Sequence, residues 1–250
     1  MITINPLANK GILKRSSVRI NDLSMAQMAQ AGGGFEASGT PTARWQADAI
    51  TGLNDTDPCT DWVDSVASLS MPSSTVDKQP LYKASGQNGM PYLQFDGDDD
   101  WMGDVAGSAI GAHTQPITIF LVYDITDNDS YSTVLAGGGT GNFWIWDYIN
   151  TDIRLAAATQ VMSGMIHPEN PSIVTVHFNG ASSFVRLNGN QSAALDTGGI
   201  GFSTLYFGAL VTGNARWAPM DLYEVIVYNG TEDPTANEAM LSSKYDITIA

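Results

Sequence analysis

Aspartates are concentrated in one short stretch of the chain. Asp96, Asp98, Asp99 and Asp100 fall within five positions, and Asp104 follows closely. Carboxylate oxygens are the hard ligands that calcium prefers, so this run has the chemistry of a calcium site. The spacing lacks the glutamate at position 12 of an EF-hand loop, and Asp-Gly is also typical of a tight turn. The sequence therefore predicts either a structural turn or a calcium site, and it leaves both open.

Aromatic side chains form the second chemical feature, and Phe143 to Tyr148 is the richest stretch. In a strand, alternation places Trp144, Trp146 and Tyr148 on one face and Phe143, Ile145 and Asp147 on the other. Flat rings stack on the apolar faces of sugars, and Trp and Tyr keep a polar tip for hydroxyl groups. These residues, together with Trp101 beside the acidic run, are candidate carbohydrate contacts. The alternative is that all of them are core, and Trp45 and Trp217 cannot be placed.

Common catalytic and phosphate-binding patterns are absent from the sequence. It contains no Gly-x-Ser-x-Gly, no phosphate loop ending in Gly-Lys-Ser/Thr and no His-Glu-x-x-His. His113, His167 and His177 are scattered, and a lone histidine is usually structural. The glycines from Gly137 to Gly141 precede no lysine, so they indicate a turning loop.

The charge balance limits the classes of partner that the protein can bind. Eleven basic residues against 26 acidic ones give a net charge of -15, so the surface repels phosphate and a nucleic-acid binder is excluded. No apolar run approaches the roughly 20 residues that span a bilayer, and the first residues lack the pattern of a secretory signal. The single cysteine, Cys59, permits no internal disulfide. We therefore expect a protein made in the cytosol that reaches the exterior only within an assembly.

Short alternating segments separated by Gly, Asn, Asp and Pro run from Arg44 onward and are typical of strands. Asn188-Gly189 favours a two-residue type I′ hairpin, because both positions must adopt positive φ. Asp233 and Pro234 predict the start of one helix near the end of the chain. The short connections favour antiparallel pairing in two packed sheets. The predicted strands are Pro91–Phe95, Ile117–Asp124, Thr133–Leu135, Phe143–Ile149, Ile153–Ala157, Ile173–Phe178, Phe184–Leu187, Thr204–Leu210 and Leu222–Tyr228.

Residues 1–40 differ from the remainder and are predicted to form an N-terminal arm. Residues 1–44 hold five basic side chains against two acidic ones, a charge of +3, whereas the remainder carries -18. Apolar residues after Asp22 repeat at helical spacing, and three glycines then end the short helix that they predict. We expect the arm to dock onto a partner subunit. The candidate docking residues are Lys10, Lys14, Arg15, Arg19, Leu23, Met25 and Met28.

Several segments, taken in order, resemble concanavalin A-like, laminin-G-type jelly-roll domains over about residues 43 to 249. They include Phe95-Asp96-Gly97-Asp98-Asp99-Asp100-Trp101-Met102 and the closing Leu222 to Asn229 with the helix that ends in Ser243-Lys244-Tyr245-Asp246-Ile247. Trp62-Val63-Asp64-Ser65, Gln79-Pro80-Leu81-Tyr82 and Asn88-Gly89-Met90-Pro91 also contribute. The resemblance implies an all-β fold for residues 41–250, namely a two-sheet antiparallel β-sandwich with a short C-terminal helix. It also implies that Trp62 lies in the core.

The resemblance leaves function open, because domains of this type bind glycans or proteins and some relatives are endoglucanases. Those enzymes carry Glu-x-Asp-x-(x)-Glu on one strand, and none of the five glutamates here fits that pattern. We therefore expect a non-enzymatic protein, although an aspartate pair leaves glycosidase activity as an alternative. The layout resembles accessory proteins of phage particles. The expected function is a decoration or attachment component on the virion exterior, a homo-oligomer held by its arm to capsid or tail subunits. The alternative is an adhesin that binds a host-surface glycan.

Overall fold

Short antiparallel strands are the main regular structure of the described chain, and one helix follows them. A computed structural model describes residues 35–73, 75–103, 110–127, 132–138, 142–147, 152–168, 170–210 and 215–250. The strands are β1 (Ala43–Gln46), β2 (Asp61–Val63), β3 (Ser70–Pro72), β4 (Leu81–Lys83), β5 (Tyr92–Asp96), β6 (Met102–Gly103), β7 (Ile117–Ile125), β8 (Ser132–Gly138), β9 (Phe143–Asp147), β10 (Arg154–Ala157), β11 (Gln160–Met162), β12 (Ser172–Phe178), β13 (Phe184–Leu187), β14 (Asn190–Gln191), β15 (Thr204–Phe207) and β16 (Pro219–Tyr228). The helix is α1 (Pro234–Tyr245), and single 3₁₀ turns lie at Ala47–Ala49, Val76–Lys78 and Gln87–Gly89.

The strands form two large sheets. The eight-stranded sheet has the order β14-β13-β12-β7-β16-β5-β4, and β1 pairs with β16 beside this path. The six-stranded sheet has the order β11-β10-β9-β8-β15-β6, and β2 pairs with β3 in a small ribbon. Every pairing between these named strands is antiparallel. The two-sheet antiparallel sandwich predicted from the sequence is therefore confirmed.

One apolar core joins the two sheets. Leu121 and Val176 of the eight-stranded sheet and Ile145 and Leu205 of the six-stranded sheet belong to one buried cluster. Trp62 lies in the same cluster and is fully buried, as the resemblance implied. Burial of this much aliphatic and aromatic surface, at about 25 cal/mol per Å², is the main driving force that holds the sheets face to face.

The helix α1 packs on the outer face of the eight-stranded sheet, over β12 and β7. Leu241 and Tyr245 of the helix pack with Phe120 and Ile226 of the sheet in a second cluster. This explains why β7 and β16 are apolar at almost every position, since a strand covered on both faces needs no polar side. The helix begins where the sequence predicts, because the Asp233 carboxylate accepts a hydrogen bond from the Thr235 amide.

Residues 35–42 lie against the same covered face. Ala37 packs with the helix cluster, and the Ser38 amide donates to Asn237 Oδ1 at 2.8 Å. Residues 1–34, which include every candidate docking residue of the predicted arm, lie outside the described residues. No helix in the described part of the chain is long and apolar enough to cross a membrane.

The predicted hairpin is also present. Asn188 and Gly189 have φ of 47° and 84°, the positive values that a type I′ turn needs, and they connect β13 to β14. The predicted strand from Thr204 ends early, at Phe207. Gly208 has φ of 82°, and a Cβ there would lie 2.5 Å from the Phe95 ring, so the chain turns away at this point.

Candidate functional site

An aromatic cluster occupies the outer face of the six-stranded sheet, the side opposite the core. Alternation in β9 sends Phe143 and Ile145 into the core and Trp144 and Trp146 to this outer face, as the sequence predicts. The cluster comprises Trp101, Ala136, Trp144, Trp146, Ala156, Tyr206 and Ala209, with Leu210 and Trp217 packed against it.

Small neighbours make room for the large rings. Trp144 is flanked across the sheet by Ala136 of β8 and Ala156 of β10, which leave space for an indole to lie over the strands. Alternation in β15 adds a further ring to the cluster, because Leu205 and Phe207 face the core and Tyr206 faces outward. The cluster is thus a product of strand register.

The rings of the cluster are closely packed. Trp144 and Trp146 are stacked, with ring centroids 3.5 Å apart and planes 5° apart. The Arg216 guanidinium carbon lies 4.1 Å from the Trp146 ring centroid, and since Trp144 takes one face of that ring, Arg216 takes the other. Trp101 and Tyr206 are tilted neighbours with centroids 5.8 Å apart.

Exposure separates the members of this cluster. Trp101, Trp144, Trp146 and Tyr206 are only 4 to 7% exposed, so they are anchored by packing. Trp217 is half-buried, and its Nε1 is enclosed with no hydrogen-bond partner among the described residues. An indole N–H is a donor that normally finds an acceptor. The Trp217 Nε1–H is therefore a buried donor without an acceptor among the described residues.

The acidic run forms a turn that passes from β5 of one sheet to β6 of the other. One oxygen of Asp96, Oδ1, accepts hydrogen bonds from the amides of Asp98, Asp99 and Asp100 at 2.8, 3.3 and 3.4 Å. The Asp96 amide in turn donates to Asp100 Oδ2 at 3.0 Å. The run therefore has the hydrogen bonding of a structural turn, whose local geometry is set by two of its own carboxylates.

The same turn brings carboxylates together. Oxygen atoms of Asp96, Asp99 and Asp100 lie within 4.8 Å of one another, whereas Asp98 is exposed and outside this group. Burial raises the pKa of Asp100 to about 6. The negative charges of Asp96, Asp99 and Asp98 also raise this pKa, whereas the hydrogen bond from the Asp96 amide lowers it.

A second carboxylate pair lies elsewhere on the eight-stranded sheet. Asp124 of β7 and Asp221 of β16 face each other directly across the antiparallel pair. Burial is the main reason that the pKa of each is raised to about 6, and the charge of Asp221 adds to the shift of Asp124. Gln94 of β5 donates to Asp221 Oδ1 at 3.4 Å.

Two of the five glutamates are held in structural ion pairs. Glu224 is fully buried beneath α1 between Arg44 and Lys244. The Glu238 carboxylate, which is 1% exposed, accepts two hydrogen bonds from the Arg186 guanidinium. Nε donates to Oε1 at 2.8 Å and Nη2 donates to Oε2 at 2.9 Å. Neither carboxylate is accessible to a substrate.

The three histidines make structural contacts. His113 Nε2 lies 2.8 Å from the Ile110 carbonyl, and His177 Nδ1 lies 3.1 Å from the Thr118 hydroxyl. Burial lowers the pKa of His177. His167 is fully buried and stacks on Tyr123, with ring centroids 4.9 Å apart.

The sequence-predicted site residues thus fall into separate places. Trp101, Trp144 and Trp146 come together on one face, and Trp101 directly follows the acidic turn. Tyr148 and Asp104 lie outside the described residues. Sequence reasoning missed Arg216 and Trp217, which belong to the cluster through the fold alone, because no strand pattern precedes them. It also missed Tyr206, which the alternation of its strand would have placed.

Comparisons with known proteins find the fold in other molecules. No protein-family model and no curated protein sequence matches the chain. Among solved structures, Trypanosoma rangeli sialidase in complex with sialic acid is similar over 88% of this chain and 38% of its own, with 12% identity and a TM-score of 0.58. The chain therefore spans about two fifths of that sialidase. The receptor-binding domain of botulinum neurotoxin mosaic serotype C/D is similar over 83% of this chain and 50% of its own, with 8% identity and a TM-score of 0.55.

One neighbour is matched over nearly its whole length. It is domain 4 of AbnA, a GH43 extracellular arabinanase from Geobacillus stearothermophilus, in complex with arabinotriose. The match covers 80% of this chain and 98% of that domain, at 15% identity and a TM-score of 0.56. At these identities the likeness is one of fold.

Proposed function

We propose that residues 35–250 form a non-catalytic carbohydrate-binding module whose sugar contacts lie at the aromatic cluster of the six-stranded sheet. The observation that carries this proposal is the contrast between the two outer faces. The helix α1 packs on the outer face of the eight-stranded sheet, whereas the outer face of the six-stranded sheet carries four tryptophans and a tyrosine, of which Trp217 is half-buried and the others are nearly buried.

The chemistry of the cluster favours a sugar as its ligand. Aromatic side chains offer apolar surface to the C–H faces of sugar rings, and polar groups at their edges bind hydroxyls. Trp217 offers a half-buried ring at the margin of the cluster, and its neighbour in sequence, Arg216, is exposed and lies over the Trp146 ring. Trp144 and Trp146, which are stacked and nearly buried, give the site a rigid base.

The fold neighbours support a sugar as the ligand class. Domain 4 of the arabinanase, matched over 98% of its length, was solved with arabinotriose, and the sialidase was solved with sialic acid. Both are fold likenesses, so they suggest probes without fixing the glycan. The absence of the glucanase glutamate pattern, together with the ion-paired Glu224 and Glu238, favours binding over hydrolysis.

The test is a binding titration of the full chain. Calorimetric titration with arabinotriose and with sialic acid, followed by a glycan array, should show saturable binding to at least one glycan class. Quenching or a blue shift of tryptophan emission should accompany it. The absence of binding to every glycan on the array would overturn the proposal, and release of reducing ends from a bound polysaccharide would overturn its non-catalytic part.

A finer proposal concerns the setting of this module. Residues 1–34 of the predicted arm would dock onto capsid or tail subunits of a phage particle, because residues 35–40 pack on the module itself. A homo-oligomeric module would then decorate the exterior and attach to a host-surface glycan. The charge contrast between residues 1–44, at +3, and the acidic remainder, at -18, supports a separate role for the arm. Deletion of residues 1–34 should abolish association with particles. Unchanged association would contradict this placement.

A further inference from the structure

A cavity of about 440 Å³ opens beside the acidic turn. Its lining includes Asp77, Asp96 and Asp100, and no basic side chain lines it among the described residues. A cavity with three carboxylates and no compensating cation concentrates negative potential. The aspartates alone do not define a ligand, because an acidic turn is also a common structural feature.

The hydrogen bonds within the turn use only some of its carboxylate oxygens. The amides of the turn bond to Asp96 Oδ1 and Asp100 Oδ2. Within the described chain, Asp96 Oδ2 and Asp100 Oδ1 accept no hydrogen bond, and Asp99 brings a further carboxylate within 4.8 Å of both residues. The hydrogen bonds that build the turn therefore leave one oxygen of Asp96 and one of Asp100 for another ligand.

Gln79 provides an independent observation. This side chain lines the same cavity and is 8% exposed, and its Oε1 is buried with no partner among the described residues. Its backbone lies beside the turn, because the Trp101 amide donates to the Lys78 carbonyl at 3.3 Å. Burial of a carbonyl oxygen without a donor destabilises the fold, so Oε1 needs a positive partner that the turn does not supply.

We propose that the cavity binds a calcium ion through carboxylate oxygens of Asp96, Asp99 and Asp100 and through the amide oxygen of Gln79. Calcium accepts six to eight oxygen ligands in flexible geometry, including amide carbonyls, and water completes the shell. Magnesium requires a near-ideal octahedron and gives up its own water reluctantly, so this irregular set of four residues favours calcium. Asp98, which is exposed, is not a ligand.

Terbium luminescence tests the site directly, since Tb³⁺ takes the ligands of calcium and the indole of Trp101 lies next to Asp100 in the chain. Excitation of tryptophan in the full chain should give terbium emission that saturates, that calcium displaces and that magnesium displaces at least tenfold less well. Half-saturation by calcium is expected between about 10⁻⁵ M, the weak limit of sensor sites, and about 10⁻³ M, the weak limit of extracellular modules. The absence of saturable, calcium-displaceable emission would overturn the proposal.

Single substitutions distinguish direct coordination of calcium from a general electrostatic attraction of the ion to the acidic turn. Asp99→Asn and Gln79→Leu should each weaken calcium binding at least tenfold, and Asp98→Asn, a matched charge change on the same turn, should change it less than twofold. Gln79→Leu leaves the net charge unchanged, so its effect reports coordination alone. Equal effects of Asp98→Asn and Asp99→Asn would overturn the assignment.

Thermal unfolding provides a second measurement that tests the role of Gln79. Calcium should raise the melting temperature of the wild type above its value in EDTA. Gln79→Leu should lose this calcium response and should melt no lower than the wild type in EDTA, because it removes an unpartnered buried oxygen. A Gln79→Leu variant that keeps the full calcium response would exclude Gln79 as a ligand. These measurements contain no sugar, so their outcome is independent of the proposed carbohydrate binding.

Discussion

Lys244 Nζ lies 2.8 Å from Glu224 Oε2, and both side chains are fully buried between α1 and the eight-stranded sheet. The Arg44 Nε donates to Glu224 Oε1 at 2.6 Å, and the Tyr245 hydroxyl donates to Oε2 at 2.8 Å. Burial alone would raise the pKa of Glu224, but Lys244 and Arg44 hold it below its ordinary value. One carboxylate thus binds the first strand, the last strand and the helix together.

Removal of one partner from this network should be costly. Lys244→Met leaves Glu224 buried with one cation fewer, and loss of a buried ion-pair partner typically lowers the free energy of unfolding by about 3 to 5 kcal/mol. Chemical denaturation of the variant should show a loss in this range. Lys78→Met, at a half-buried position outside the network, serves as the control and should cost less than about 0.5 kcal/mol. A loss below about 1 kcal/mol for Lys244→Met would contradict the role given to the pair.

The half-buried ring of Trp217 leads to a prediction about sugar affinity. Trp217→Ala removes this ring from the margin of the cluster, so it should weaken binding of the preferred glycan about tenfold, the equivalent of about 1.4 kcal/mol. Titration of both proteins with the same glycan measures the change. Val66→Ala, at an exposed apolar position outside the cluster, is the control and should leave the affinity unchanged. Equal losses for the two variants would place the sugar elsewhere.

The raised pKa of Asp221 leads to a pH-dependent stability. A folded-state pKa near 6, against an ordinary value of 3.8, means that the fold favours the protonated carboxyl. The contribution of Asp221 to stability should therefore fall as pH rises from about 4 to 6 and stay level above that range. Asp221→Asn should stabilise the protein by about 1 kcal/mol at pH 7.5, after allowance for partial exposure, and by little at pH 4.

Denaturation of the two proteins at these two pH values measures the difference. The Asp221→Asn variant would retain a side-chain oxygen for the hydrogen bond from Gln94, so the change isolates the charge. Asp98→Asn, at an exposed position, should show no such pH-dependent gain. A stabilisation of equal size at both pH values would indicate a cause other than titration.

The single thiol reports on the intactness of the core. Cys59 is buried, and burial raises the pKa of its thiol to about 11, so almost none of it is thiolate at pH 8. An aromatic disulfide reagent should modify the folded protein at least about 100-fold more slowly than the unfolded one in concentrated urea. Because no other cysteine is present, the absorbance change belongs to Cys59 alone. Rapid modification under native conditions would show that this part of the core opens readily.

Long apolar strands were the most predictable part of this fold. Ile117–Asp124 was predicted and Ile117–Ile125 is found, because a strand covered on both faces leaves a continuous apolar run. β2 and β6 have only three and two residues and were not predicted, since so short a segment carries no period.

Some residues of the candidate sites were likewise predictable from a local sequence pattern, and others were not. Alternation in one strand was enough to place Trp144 and Trp146 on a common face, but Arg216 and Trp217 reach them only through the folded chain. Gln79 was likewise invisible as a candidate, because its importance depends on an unpartnered oxygen beside a turn that lies 17 residues further along the chain. Local patterns predict which way a side chain points; tertiary structure decides what it meets.

The pairing of β1 with β16 has a consequence for protein architecture. Ala37 near the start of the described domain and Ile249 near its end both pack on the helix-covered side. Both ends of the described domain therefore lie on the side of the helix, away from the tryptophans of the six-stranded sheet. A domain whose ends lie on one side can be inserted within a longer chain or repeated in tandem.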